Sequence, residues 1–231
     1  MTMFRTWPPL VSEASLYSYL VTRTTGRAVR LSIEEQVARH EGEVLTVLDF
    51  RNVAVIDYSC ADEVVAELAY TALGSGSELV GQRGEDRESD EMRAPSASPT
   101  QPAPARRFVA IRGLEDHHWD PIDSALRRRN LAVAAERADG ELVLVGSVEQ
   151  PEEHLWRLVC EHEQVDPEPL AGELGLSEPE ARSRLEALHR RRLVLRQEDT
   201  YVSFRRVLCQ SMEGPSAPRQ ATPDETRGED G

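Results

Sequence analysis

The sequence predicts an α/β domain followed by a small α+β domain. Three observations carry this. Residues 44–68, VLTVLDFRNVAVIDYSCADEVVAEL, read as a buried strand, a turn, a second apolar run and an amphipathic helix. Strand and helix patterns alternate on both sides of that stretch, as in layered α/β folds. Over residues 151–206 the order becomes helix, helix, tight turn, helix, strand, turn, strand.

In chain order, residues 1–15 read as a flexible arm and Leu16–Val21 as the first strand. Gly26–Glu41 is helical by pattern, with Val29, Ile33 and Val37 at four-residue steps. Val44–Phe50 is a strand, Arg51 and Asn52 a turn, and Val53–Ile56 a short apolar run. Ala61, Val64, Val65, Leu68, Ala69 and Ala72 then recur with the period of a helix that buries one face. Ser59 fits as the N-cap of that helix, and Asp62 three residues on completes a capping-box pattern. Gly74–Arg106 cannot bury apolar surface and reads as a disordered insert. The sheet pattern resumes with Phe108–Ile111, a helix over Asp116–Arg129, and strands Leu131–Ala135 and Leu142–Val145 joined at Asp139-Gly140. The first domain therefore spans 16–148 with an interruption at 74–106. The second spans 149–210, and a polar tail, 211–231, is expected to be disordered.

In the second domain, Leu155, Leu158, Val159 and His162 share a face of a helix over His154–Glu163. Asp166-Pro167 opens a short helix that Gly175 ends. Ser177, with Glu180 three residues later, opens another that carries Ala181, Leu185 and Leu188. Leu193–Arg196 and Tyr201–Phe204 flank a turn.

Bulk composition narrows the function. The 231 residues hold 27 basic and 41 acidic side chains, a net charge of −14, and every basic residue is Arg. Such a chain is a poor polyanion binder as a whole, although a local basic surface remains allowed. Three scattered cysteines, without C-x-x-C spacing, fit a reducing compartment. No stretch is long and apolar enough to span a bilayer, and the N-terminus lacks a signal-peptide core, so a cytoplasmic location is expected with no membrane partner.

Leu48, Asp49, Phe50, Val53, Ile56, Asp57, Ser59, Ala61 and Asp62 carry a resemblance to the STAS-like domains, the fold of bacterial anti-sigma-factor antagonists. Thr25, Gly26, Arg27 and Val29 resemble the start of those relatives. The resemblance implies a mixed sheet with helices and a protein partner, such as a serine kinase or an anti-sigma-type ATPase. It places Ser59 on the serine that is phosphorylated in the antagonists, with Asp57 beside it. Tyr58 and Cys60 stand where the family pattern has serine and glycine, which brings the chain closer to the looser STAS-like relatives. The stretch PLAGELGLSEPEARSRLEALHRRRLVLRQEDTYVSF resembles the winged helix-turn-helix superfamily.

Two constellations follow. Ser59 and Asp57 are either a helix cap with a turn carboxylate or a phosphorylation switch. Residues 181–206 hold eight arginines against three acids, a local +5. That is the footprint of a phosphate-tracking helix and wing, with Arg182, Arg184, His189, Arg190 and Arg196 as the DNA-contacting candidates. Glu178 and Glu180 at the start of that helix instead favour a winged unit used for protein contact or dimerisation. His117 and His118 adjoin Asp116 and Asp120 but point about 100° apart on a helix, so exposed or half-buried histidines are expected rather than a metal site. Thr24-Thr25-Gly26-Arg27 fits a small anion nest before a helix, but as a lone short motif it reads rather as a plain helix start. No catalytic set, metal or cofactor motif is present, so a non-enzymatic chain without cofactor is expected. The best reading is a two-module transcriptional regulator that binds duplex DNA. The competing one is a partner-switching adaptor whose winged unit binds protein, and a homodimer is compatible with either.

Overall fold

The computed structural model describes residues 10–74 and 106–210. The expectations for most of the insert, for the tail and for residues 1–9 lie outside these.

A five-stranded sheet organises the chain. Its strands are β1 (Leu10–Ser15), β3 (Val44–Asp49), β5 (Arg107–Leu114), β6 (Ala132–Arg137) and β7 (Leu142–Gly146), adjacent in that order. The first four run parallel, and β7 closes the far edge antiparallel to β6 through the turn at Asp139-Gly140. β1 corrects the expected arm: residues 10–15 pair in register with 44–49. Residues 16–21, expected as the first strand, supply only β2 (Tyr19–Leu20). This pairs with β4 (Val55–Ile56) in a separate two-stranded ribbon.

Both faces of the sheet are covered, which is why β3 and β5 read as nearly unbroken apolar runs. Val44, Leu48, Val109, Ile111, Val133 and Ala135 point to one side. There they pack under α1 (Arg23–Ala38), α2 (Tyr58–Ala61), a π-helical turn (Asp62–Ala66), α3 (Glu67–Gly74) and α4 (Asp116–Arg128). α1 starts three residues before its expected position because Thr22 caps it, accepting from the Thr25 amide at 3.1 Å. It crosses α2 closely at Gly26, where a Cβ would stand 3.1 Å from the Cys60 Cα.

Leu45, Val47, Phe108, Ala110, Ala132 and Ala134 point to the other side. That face is covered by the small α+β unit: α5 (Gln150–His162), β8 (Gln164–Val165), α6 (Pro167–Leu174), α7 (Glu178–Arg190), β9 (Leu195–Gln197), β10 (Thr200–Val202) and α8 (Arg205–Gln210). β8, β10 and β9 form an antiparallel three-stranded sheet. Trp156, Leu188, Leu193, Tyr201 and Phe204 of this unit share one apolar cluster with the sheet residues. Phe108 links the sheet to that unit, edge-on to Phe204 at 6.1 Å and under the Arg192 guanidinium at 5.5 Å.

Candidate functional site

The start of α2 is built by Asp57. Its backbone is extended (φ −93°, ψ 167°), and its Oδ1 accepts from the Cys60 amide at 2.7 Å and from the Ser59 hydroxyl at 2.8 Å. Asp57, not Ser59, is therefore the N-cap. The helix begins at Tyr58, so Ser59 lies within its first turn and its hydroxyl serves the cap rather than a backbone amide. A carboxylate two residues upstream reaches the third helical amide, which a hydroxyl already inside the helix cannot do.

The π-helical turn follows immediately, a rare single-turn feature within helices that is frequent at functional sites. It brings Asp62 under two guanidiniums, Arg129 at 3.0 Å and Arg23 at 3.3 Å. Burial pushes the Asp62 carboxyl up, but Arg129 and Arg23 outweigh it and hold the group below its ordinary value. Cys60 is fully buried, with its thiol directed at the Thr22 carbonyl at 2.8 Å. Burial, then the neighbouring Asp57 charge, raises its pKa, so it is a packing residue rather than a nucleophile.

Beside this start lies an apolar surface that the sequence reading did not single out. Tyr17 and Val21 flank β2 at two-residue steps from Tyr19, Val55 pairs with Tyr19 across the ribbon, and Tyr58 opens α2. Tyr19 is 67 % exposed, and Tyr17 and Tyr58 are more than half exposed. The period-two pattern Y-x-Y-x-V was the available signal.

In the C-terminal unit the arginines have local partners. Arg182 binds Glu178 at 3.1 Å and Asp199 at 2.9 Å, Arg184 binds Glu180 at 2.8 Å, and Arg196 binds Glu186 at 3.0 Å and the Glu198 carbonyl at 2.8 Å. Arg191 pairs with Glu152 and the Ser147 carbonyl, and Arg192 with the Ala72 carbonyl. Arg190 is exposed and has no ion pair among the described residues. His189, expected at a DNA surface, is only 1 % exposed. One ring nitrogen lies 3.1 Å from the Val194 carbonyl and the other 3.1 Å from Arg106. Burial is the main reason its pKa falls to about 4. It faces the sheet because it is adjacent to Leu188 on the packed side of α7. Once Glu178 and Glu180 are included, the outward surface of α7 and the β9–β10 ribbon carries five acids against Arg182, Arg184, Arg190 and Arg196.

A groove of about 340 Å³ runs between α7 and the ribbon, lined by Pro179, Arg182, Ser183, Glu186, Arg196 and Tyr201. The Tyr201 hydroxyl donates to Glu186 at 3.0 Å, and burial and that carboxylate push its pKa up to about 12.

A polar layer crosses the sheet under the C-terminal unit. Arg112 is 3 % exposed and lies 2.9 Å from Glu13 and 3.5 Å from Glu136, and it donates to the Leu208 carbonyl at 2.9 Å. Asp49, beside it in register, is bound by Arg51. Sequence reasoning missed this layer, because residues far apart in the chain converge only through strand order.

Among the described residues no cluster of His, Cys, Asp and Glu could hold a metal, and no helix is long and apolar enough to cross a membrane. His118, expected exposed or half-buried, is fully buried. It donates from Nε2 to the Val53 carbonyl at 2.8 Å and accepts the Glu115 amide on Nδ1 at 3.2 Å, pinning α4 to the turn before β4. Compared with family models, curated proteins and solved structures, the chain matches none.

Proposed function

We propose that this chain is a bacterial regulatory adaptor that works through protein contacts, with a STAS-like domain whose partner surface is the β2–β4 ribbon and the start of α2. One observation carries this reading: Tyr17, Tyr19, Val21, Val55 and Tyr58 are all exposed along the β2–β4 ribbon and the start of α2, beside the Asp57–Ser59 turn. Exposed aromatic clusters of this kind mark contact sites in otherwise soluble folds. The partner class is a serine kinase or an anti-sigma-type ATPase. A phosphoryl group on Ser59 would replace the hydrogen bond to Asp57 by repulsion between two anions in the middle of that surface.

The C-terminal unit supports the same class. Its order, α5–β8–α6–α7–β9–β10, is that of a winged helix. Its outward arginines are already neutralised, however, and acids outnumber them. A second reading, duplex binding by α7, rests on that order and on the unpaired Arg190.

The test uses the full chain against its captured partner and against duplex DNA. The adaptor reading expects Tyr19→Ser with Tyr58→Ser to abolish partner capture, and duplex affinity to stay weak with little salt dependence. Duplex binding whose log K falls steeply with log salt, about 0.9 per phosphate contact, together with unchanged capture by the tyrosine variant, overturns it in favour of the second reading.

A further inference from the structure

The groove between α7 and the β9–β10 ribbon already holds a carboxylate at its mouth. Asp199, 74 % exposed at the ribbon tip, lies 2.9 Å from Arg182 Nη1 and 3.7 Å from Arg196 Nη2. Each guanidinium has a partner besides Asp199. Arg182 is also bound to Glu178. Arg196 is fixed by Glu186 and the Glu198 carbonyl and lies 5.8 Å over the Tyr201 ring. The groove is thus a preformed two-arginine fork beside the exposed Pro179 ring, with the buried Tyr201 ring packed beneath Arg196. Preformed forks of this kind suit carboxylates, because little rotamer entropy is lost on binding.

We propose that this groove recognises an acidic side chain of a partner protein, one carboxylate flanked by an apolar residue, and that Asp199 is its resident intramolecular competitor. The proposal rests on the protein-contact reading above and assigns the C-terminal unit its own ligand. The surroundings select a single carboxylate over a nucleic-acid backbone. Glu186 stands inside the groove and Glu178 on its rim, so successive phosphates would meet fixed acids. A single carboxylate needs only the one place that Asp199 vacates at the fork, and the exposed Pro179 ring meets the neighbouring side chain.

The experiment titrates the full chain with the capped peptide Gly-Leu-Asp-Leu-Gly, its Gly-Leu-Asn-Leu-Gly counterpart and a short DNA duplex, followed by amide NMR shifts at low ionic strength. Asp199 is exposed, so Asp199→Asn keeps the fold. The Asp peptide should shift amides in 179–201, bind about threefold tighter to Asp199→Asn, as loss of a surface ion-pair competitor predicts, and fail to bind Arg182→Gln. The Asn peptide should produce no shifts. Equal affinity for the two peptides, or an Asp199→Asn affinity equal to wild type, overturns the groove proposal. If the tyrosine surface still captures its partner in that case, the adaptor reading stands without it. Duplex-induced shifts at the same amides overturn the groove proposal, and together with unchanged capture by the tyrosine variant they overturn the adaptor reading as well.

Discussion

Ser59 donates its hydroxyl to the Asp57 carboxylate at 2.8 Å, and the same oxygen caps the helix through the Cys60 amide. The two residues therefore act as one capping unit in which Asp57 is primary. Asp57→Ala is expected to cost about 1–2 kcal/mol, the upper range for an N-cap, because it also orphans the Ser59 hydroxyl. Ser59→Ala should cost less, about 0.5–1 kcal/mol. Urea unfolding of both variants checks the order, and a larger loss for Ser59→Ala would return the cap to Ser59.

Folding also holds two histidines neutral. Burial takes His189 from the ordinary 6.5 to about 4, and burial likewise lowers His118. The unfolded chain binds these protons first, so stability is full above about pH 6.5 and declines as pH falls towards 4. For His189 the shift corresponds to about 3 kcal/mol at the bottom of that window. His189→Gln should flatten the decline between pH 6.5 and 4 in urea midpoints. An unchanged slope would mean that folding leaves the proton affinity of His189 unaltered.

Phe108 joins the two units, so they should unfold together. Trp119 belongs to α4 on one face of the sheet and Trp156 to α5 on the other. Single-tryptophan versions retaining either residue should give coincident thermal transitions. Phe108→Ala, a buried aromatic truncation of about 3–5 kcal/mol, should move both equally. Separate transitions would show two independently stable bodies.

The helical face was legible because its signal is local. Val29, Ile33 and Val37 in α1, and Val64, Val65 and Leu68 across the turn into α3, keep one side apolar whatever lies opposite. β1 was not legible: LVSEAS alternates weakly and becomes a strand only because β3 offers it a parallel partner. The position of the cap slipped by two residues because Asp57 and Ser59 are both capping types, and only the extended backbone at Asp57 decides between them. The arginine cluster at 181–206 was legible as composition but not as surface. Arg191 and Arg192 turn inward, and the acids that bind Arg182 and Arg184 lie one helical turn upstream. The double burial of β3 and β5 was present in VLTVLD and RFVAIRGL, runs with too few polar positions for a sheet with one wet face.

Arg112 gives the sharpest test of how the second face is held. It is nearly fully buried between Glu13 and Glu136 and bonded to the Leu208 carbonyl within α8. Arg112→Met removes the buried guanidinium from between Glu13 and Glu136 and should cost about 3–5 kcal/mol at pH 7. Burial already raises the Glu136 pKa, against the pull of Arg112 and Arg51. Without Arg112 it rises further, and the carboxyl becomes neutral as pH falls. A carboxyl whose folded pKa is raised binds protons more readily folded than unfolded, so lower pH offsets part of the loss. The difference between wild type and Arg112→Met should therefore shrink from pH 7 to pH 5, and Arg112→Met with Glu136→Leu should recover most of the stability at pH 7. Urea midpoints of the three proteins at both pH values decide the matter. A deficit that is independent of pH and unrelieved by Glu136→Leu would assign the role of Arg112 to the Leu208 carbonyl rather than to its acids.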